Sequence, residues 1–400
     1  MSKGSGTKGT KIIRIRSKHS GPWWKLGTSK SLFAVPGGTL ENADLANANL
    51  ASASLNYAVL AFANLQNANV QEAELIDADM TSAILDQADF TESEMRGVKL
   101  EKASLNETKF IEARMSEANL AEVNGVLADF TGADLGAADL TGAHLTECRM
   151  SMINLTDANL SRSDFSDSDL SKAQLIRAMM AGIDLCRAKL VEAVMEAVDL
   201  RSANLQGADL TKADLSDALL EGADLSDTRL EKAELINADL RKAELRNADM
   251  NHARMNAADL TGANLSKANL HRAHLGYSSR GGDACDLAES NMCDADLSHA
   301  SLTGANIQGA ILSRANLSQA VMTAVNLNRA NLNQVDLTRA KLNGADLSET
   351  DLRGADLRDA DLENVFIGGA QFDESTRWPE GFDPFNAGAE EVMSEEPITT

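Results

Sequence analysis

The stretch Ala258–Leu270, ADLTGANLSKANL, carries the pattern that decides the fold. Leu260, Leu265 and Leu270 stand five residues apart. Each has an alanine two positions earlier (Ala258, Ala263, Ala268) and Asp or Asn in between. Working back toward the N-terminus, a large apolar residue recurs in step at Leu40, Leu45, Leu50, Leu55, Leu60, Leu65, Val70, Leu75, Met80, Leu85 and Phe90. Toward the C-terminus the rhythm holds to Leu275 and resumes at Leu287, Met292, Leu297 and Leu302, running on to Phe372.

A period of five suits neither regular element. On a helix turning ~100° per residue the leucines would step by ~140° and smear round every side, and on a flat strand an odd period would throw them to alternate faces. The pattern makes sense if the chain turns a corner once per repeat. A short extended segment then points both the small and the large residue inward, because they lie two apart. Phe90, Phe110 and Phe130 occupy large positions 20 apart, and Met95 and Met115 share that spacing. Four sides per coil would stack these bulky residues in ladders.

The run A-[D/N]-L-x-x from about Gly38 to Phe372 resembles the pentapeptide-repeat family. The resemblance implies an all-β solenoid, a right-handed quadrilateral β-helix with four repeats per coil, about 16 coils in all and short non-repeat caps. Leu45, Phe90, Phe110, Phe130, Leu210, Leu260 and Leu347 are expected in its core. Departures from the pattern carry their own expectations. Gly125 at a large position should leave a void or a bend, and Val98, Val123, Ile153, Ile183 and Val198 at small positions should widen the coil locally. From Leu275 the next in-pattern leucine, Leu287, comes twelve residues on in place of ten. Two extra residues are therefore expected to bulge near Ser278–Asp283, where glycines favour a loop.

These boundaries divide the chain into a basic N-terminal arm or cap (1–37), a first register (38–275), a short bulge loop (276–284), a second register (285–372), and a C-terminal cap with an acidic tail (373–400). One coil cannot bury its own faces, so stability must come from stacking, and each open end is an edge that needs cover. Trp23 and Trp24 at the front, and Trp378 and Phe382 at the back, are the expected covers, with Pro379 and Pro384 stopping further pairing. Separate binding segments are the competing reading of both ends. The last dozen residues, with Glu390, Glu391, Glu395 and Glu396, read as a disordered tail.

Chemistry has few footholds. The spacing of His271, His274, Cys285 and Cys293 matches no standard zinc pattern, and Cys148 and Cys285 stand where alanine usually stands. No glycine-rich phosphate loop opens a helix, and no nucleophile has a base beside it. Neither an enzyme, nor a cofactor, nor a metal is expected. Four cysteines make no disulfide framework, no stretch reaches the length of a membrane span, and no signal peptide is read; the expectation is a cytoplasmic bacterial protein.

The net charge is −23, yet residues 1–37 hold eight Lys or Arg and no acid. An acidic surface disfavours direct contact with nucleic acid or anionic lipid. Asp or Glu fills 27 of the 66 central positions, which reads either as solubility or as mimicry of DNA. Quinolone-resistance proteins similar to this family protect DNA gyrase by presenting an acidic rod. Here the repeats carry about one net negative charge per ~3.3 Å of expected length, against one per ~1.7 Å in duplex DNA. Lys and Arg are also interleaved, as in LEKAELINADLRKAEL from Leu230. The leading expectation is a non-enzymatic scaffold that presents its acidic solenoid surface to an unidentified protein partner. The alternatives are a DNA-mimic regulator of an enzyme such as gyrase and an exported effector. The arm KGTKIIRIRSKHSGPWWKL (8–26) admits three readings: a cap whose cations rest on acidic coils, a peptide for nucleic acid or membrane, and a tether or targeting segment.

Overall fold

One pentad shows why the chain folds this way. In Ala208–Asp209–Leu210–Thr211–Lys212 every backbone N–H has a destination. Ala208 donates to Leu205 O across the corner (2.9 Å), Asp209 to Ala188 O in the preceding coil (2.9 Å), and Leu210 and Lys212 to Arg229 O and Glu231 O in the following coil (2.7 and 2.9 Å). The fifth, Thr211 N–H, donates to the Asp209 carboxylate at 3.1 Å. Buried or not, a backbone donor must be matched, and this five-residue unit matches all of its own. The residue that closes each corner adopts a left-handed φ, from Asn42 (56°) to Asn364 (56°), as the third residue of a type II turn requires. That conformation is costly for residues other than glycine, and the inter-coil bond made by the same residue offsets the cost.

The computed structural model describes residues 36–277 and 283–393, which divide between Gln174 and Leu175 into two units. In the first, parallel bridges join residues 20 apart, as in Asp89↔Lys109↔Asp129 and Asp79↔Lys99↔Asn119. In the second the same step runs through Asp209↔Arg229↔Asp249 and, beyond the loop, Asp296↔Asn316↔Asp336. Twenty residues at five per side give four sides per coil. Each side pairs through a single central residue, so among the described residues only two short strands are continuous: β1, Gln371–Phe372, and β2, Glu390–Glu391.

The large residues line the inside. Leu45 is 2 % exposed, and Phe90, Phe110, Leu210, Leu260 and Leu347 are wholly buried, with Phe130 at 1 %. Phe110 lies between its two neighbours, its ring centroid 5.2 Å from Phe90 and 4.9 Å from Phe130, with interplanar angles of 17° and 15°. The 20-residue spacing of these rings is therefore a stack along one side. Hydroxyls that replace alanine at small positions remain paired: Ser93 donates to Phe90 O (2.6 Å) and Thr108 to Leu85 O (2.9 Å). Val98, Val123, Ile153, Ile183 and Val198 are buried without breaking the ladder; the corner bonds at Val123 and Val198 measure 3.3 Å.

Two expectations need correction and a third is met in one of its two forms. Gly125 is followed by a bend at 126–127 and leaves no void beside its backbone: a Cβ built there would lie 3.0 Å from both Leu105 Cβ and Leu145 Cδ2. Its carbonyl, released from the usual corner bond, accepts from Cys148 Sγ at 3.4 Å.

The insertion after Leu275 is larger than two residues. Asp259 pairs with Asp286, 27 positions on, and Asn264 with Asn291, so the coil is lengthened by seven. Cys285 N–H donates to Leu275 O at 2.7 Å, the bond that closes every ordinary corner, so residues 276–284 form an enlarged corner. Counting in fives treats 276–280 as one more side, but Asp259 takes its partner only at Asp286.

At the C-terminus pairing does not stop at the prolines. β1 pairs in parallel with β2 (Gln371↔Glu390, Phe372↔Glu391), so Glu390 and Glu391 belong to the ladder and not to a free tail. Between the two strands, Trp378 stacks on Phe382 (5.3 Å), and Phe372 meets Trp378 and Phe385 edge-on (5.5 and 5.4 Å). Trp23 and Trp24 lie outside the described residues.

Candidate interaction surface

With the inside filled, chemistry is confined to the sides and corners. The central Asp or Asn of each side has a structural task. Asp129 and Asp259 each accept from the N–H and the hydroxyl of the threonine two residues on, Thr131 (3.0 and 2.6 Å) and Thr261 (2.9 and 2.6 Å). Asn119 and Asn331 accept from the N–H of Ala121 and Asn333 in the same way (both 3.0 Å). Because a neutral amide serves as well as a carboxylate, the position asks for an acceptor oxygen, not for charge. Central side chains also bond up and down a side: Asn306 Nδ2 donates to Asp286 (3.0 Å), and Asn326 Nδ2 to Asn306 (3.0 Å).

Many acids are neutralised locally. Arg201, Arg241, Arg353 and Arg358 each reach back two residues to Asp199, Asp239, Asp351 and Asp356, all at 2.6 Å. These bonds hold the four carboxyls below the ordinary Asp value. Other pairs run between coils, such as Arg314–Asp294 (2.7 Å), Arg254–Glu234 (2.9 Å) and Lys212–Glu192 (3.1 Å). Exposed pairs add little stability. Their effect is to make the surface a mosaic of both signs.

The chain belongs to the pentapeptide-repeat family. The family model, Pentapeptide repeats, matches residues 39–276 and 283–376 in overlapping copies, and its gap falls within the enlarged corner. Among solved structures the chain is similar to HetL, a pentapeptide repeat protein involved in heterocyst differentiation regulation in the cyanobacterium Nostoc sp. strain PCC 7120. The identity is 31 % over 56 % of this chain and 89 % of HetL, with a TM-score of 0.41. It is similar also to Rfr23 of the cyanobacterium Cyanothece 51142, at 30 % identity over 30 % of this chain and 90 % of that one, TM-score 0.29. QnrB1, a plasmid-mediated fluoroquinolone resistance protein, matches at 21 % identity over 51 % of this chain and 89 % of its own, TM-score 0.21. No curated protein matches the sequence.

In this pentapeptide-repeat chain the residues weighed for a metal site are dispersed. His271 Nδ1 lies 2.8 Å from Ser298 Oγ at a corner, His274 sits on a side between Arg254 and Ser301, and Cys293 contacts Arg314 at another corner. Among the described residues no group of three His, Cys, Asp or Glu is placed to hold a metal ion. Burial pushes the Cys148 thiol up to about 12 and Cys285 well above its ordinary value, the reverse of what a thiolate nucleophile needs. No described helix is long and apolar enough to cross a membrane.

Two surface features escaped the five-residue reading. In the second unit Lys212, Lys232, His252, Arg272 and His299 share one corner in successive coils, as their inter-coil backbone bonds show. His271 belongs to the same corner, its ring 6.4 Å from His252 and 5.3 Å from His299. In the first unit Tyr57 and Phe62 flank one side at 61 % and 57 % exposure. Both features follow from reading residues 20 apart, or 27 across the loop, in place of five.

Proposed function

We propose that this protein is a non-enzymatic, cytoplasmic scaffold that binds protein partners on its outer sides and corners. The observation that carries the reading is the mixed-sign surface. Central acids are engaged by the chain's own N–H groups, and arginines two residues or one coil away neutralise many of them. Such a mosaic suits a protein surface of complementary pattern better than it suits an enzyme that grips a uniform polyanion. Regulation of a DNA enzyme such as gyrase, or a role as an exported effector, finds less support: the central position accepts Asn as readily as Asp, as an acceptor requirement demands and a charge requirement does not.

Affinity capture with the purified chain tests the proposal. Wild type should retain a defined partner in stoichiometric amount, and Lys212→Glu with Lys232→Glu, or Arg314→Glu, should lose it without lowering the melting temperature. Inhibition of gyrase supercoiling by the purified chain at micromolar concentration would replace this reading with the mimic.

A further inference from the structure

The first three coils hold the longest stretch of the repeats without a cation. From residue 38 to residue 95 the sequence holds ten Asp or Glu and no Lys, Arg or His; the first basic residue after Lys30 is Arg96. Residues 1–37 show the opposite, eight Lys or Arg and no acid. Farther along, cations and acids alternate and pair, as in Arg114–Glu94 and Lys102–Glu122. Coils 38–95 hold no cation of their own; Glu94 takes Arg114 from a later coil, and eight cations stand in the segment before them.

The same coils carry an apolar row. Tyr57 and Phe62 sit at consecutive corners, and half-buried Val59 lies on the side between them; Ile84, one coil on, is 44 % exposed. Both aromatic residues hold left-handed φ (60° and 58°), a conformation in which a bulky side chain is disfavoured. Asp77 follows Tyr57 in the next coil and Asp79 pairs beneath Val59, so acids border the row. Gly37 N–H donates to Asn56 O, and Val59 N–H donates to Gly38 O (both 2.9 Å). The chain before Pro36 therefore joins the coils directly above this row.

We infer that segment 3–30 of this chain packs over coils 38–95, its cations against their acids and its Ile and Trp residues on the Tyr57–Val59–Phe62 row. Length permits it: the twelve residues between Trp24 and Gly37 span up to ~40 Å when extended, and the row lies about one coil, ~5 Å, from the point of attachment. Composition supports it as well, because Ile13, Arg14, Ile15 and Arg16 alternate apolar and basic residues, the complement of an apolar row bordered by acids. The first coil also needs cover, since the described residues place no coil above it.

Trp23 and Trp24 are two of the three tryptophans, so a Trp378→Phe background reports on the segment alone. Their emission should be blue-shifted and shielded from acrylamide. Tyr57→Asn with Phe62→Asn should move the emission to the red and raise quenching several-fold, and 0.5 M salt should give part of the same change. Asn suits the left-handed φ better than Tyr or Phe. In a chain lacking residues 1–30 the double substitution should therefore leave the melting temperature unchanged or raise it, whereas in the full chain it should lower it. If Trp378→Phe fails to fold, subtracting the spectrum of Trp23→Phe/Trp24→Phe from that of wild type isolates the same signal. Solvent-exposed emission in the unsubstituted chain, indifferent to Tyr57 and Phe62, overturns the inference. So does a blue shift lost on dilution together with a sedimenting dimer, since the occupant would then be a second copy.

Discussion

Gly125 and the corner at 276–284 are both breaks in the five-residue rhythm, and the molecule treats them in opposite ways. At Gly125 the large side chain is missing, yet the coil keeps its length; Asn124 still bridges Ser104 and His144, and Leu105 and Leu145 fill the space. After Leu275 the next large position would fall on Arg280, and there the coil lengthens by seven residues before Leu287 resumes the pattern. A missing apolar group costs contacts that neighbours partly restore. At the second break the added length costs little, because loop closure grows slowly with length. The coil therefore absorbs a lost side chain at constant length in one place and takes up seven more residues in the other.

Leu145→Arg, at a residue packed beside Gly125, should sharpen this contrast most. It places a cation inside a coil of ordinary length, and the loss should reach several kcal/mol, measured as the shift in urea midpoint. Gly125→Val overfills the same place; with 3.0 Å to Leu105 and Leu145, a penalty of roughly 1–3 kcal/mol is expected. A destabilisation near zero would mean that the two leucines give way freely. Removing residues 276–282 should have the smallest effect, because it joins Leu275 to Asp283, Ala284, Cys285, Asp286 and Leu287, a complete pentad closed by the bond already present. A stability change within about 0.5 kcal/mol is expected, as for surface changes away from core features; a loss of several would show that the loop holds the coil together.

Acid should reach all the coils more evenly. The carboxyls of Asp199, Asp239, Asp351 and Asp356 are lowered first by hydrogen bonds from the arginines two residues on. A folded value below the unfolded one means that this stabilisation is complete above the ordinary Asp value. It is lost as the pH falls through the lower, folded value. Melting temperature should thus decline below about pH 4, and the decline should be shallower when Arg201, Arg241, Arg353 and Arg358 are replaced by Ala. An unchanged profile in that variant would show that the pairs contribute nothing.

The coil was legible because its inward residues repeat at fixed spacing: Leu45, Phe90 and Leu260 declare themselves in the sequence, and the 20-residue interval of Phe90, Phe110 and Phe130 gives the number of sides. The length of the loop was not, since GYSSR can be counted as a repeat until the pairing of Asp259 with Asp286 shows a step of 27 residues. Nor was the pairing of Glu390 and Glu391, where charge reads as solvent-facing tail although the backbone is what pairs. Of the surface, the acids were visible but their purpose was not. That Asp209 serves the Thr211 N–H, and that Lys212 and Arg272 share a corner, emerges only when residues one coil apart are set side by side.

Oxidative cross-linking in a cysteine-free background tests most directly the claim that the coils stack in a 20-residue register lengthened by seven at one corner. Asn264→Cys with Asn291→Cys should form a disulfide rapidly, because these residues pair across adjacent coils. Asn269→Cys with Asn291→Cys, the pair that a two-residue bulge would bring together, should not. Cross-linking of the second pair in preference to the first would contradict the register described here.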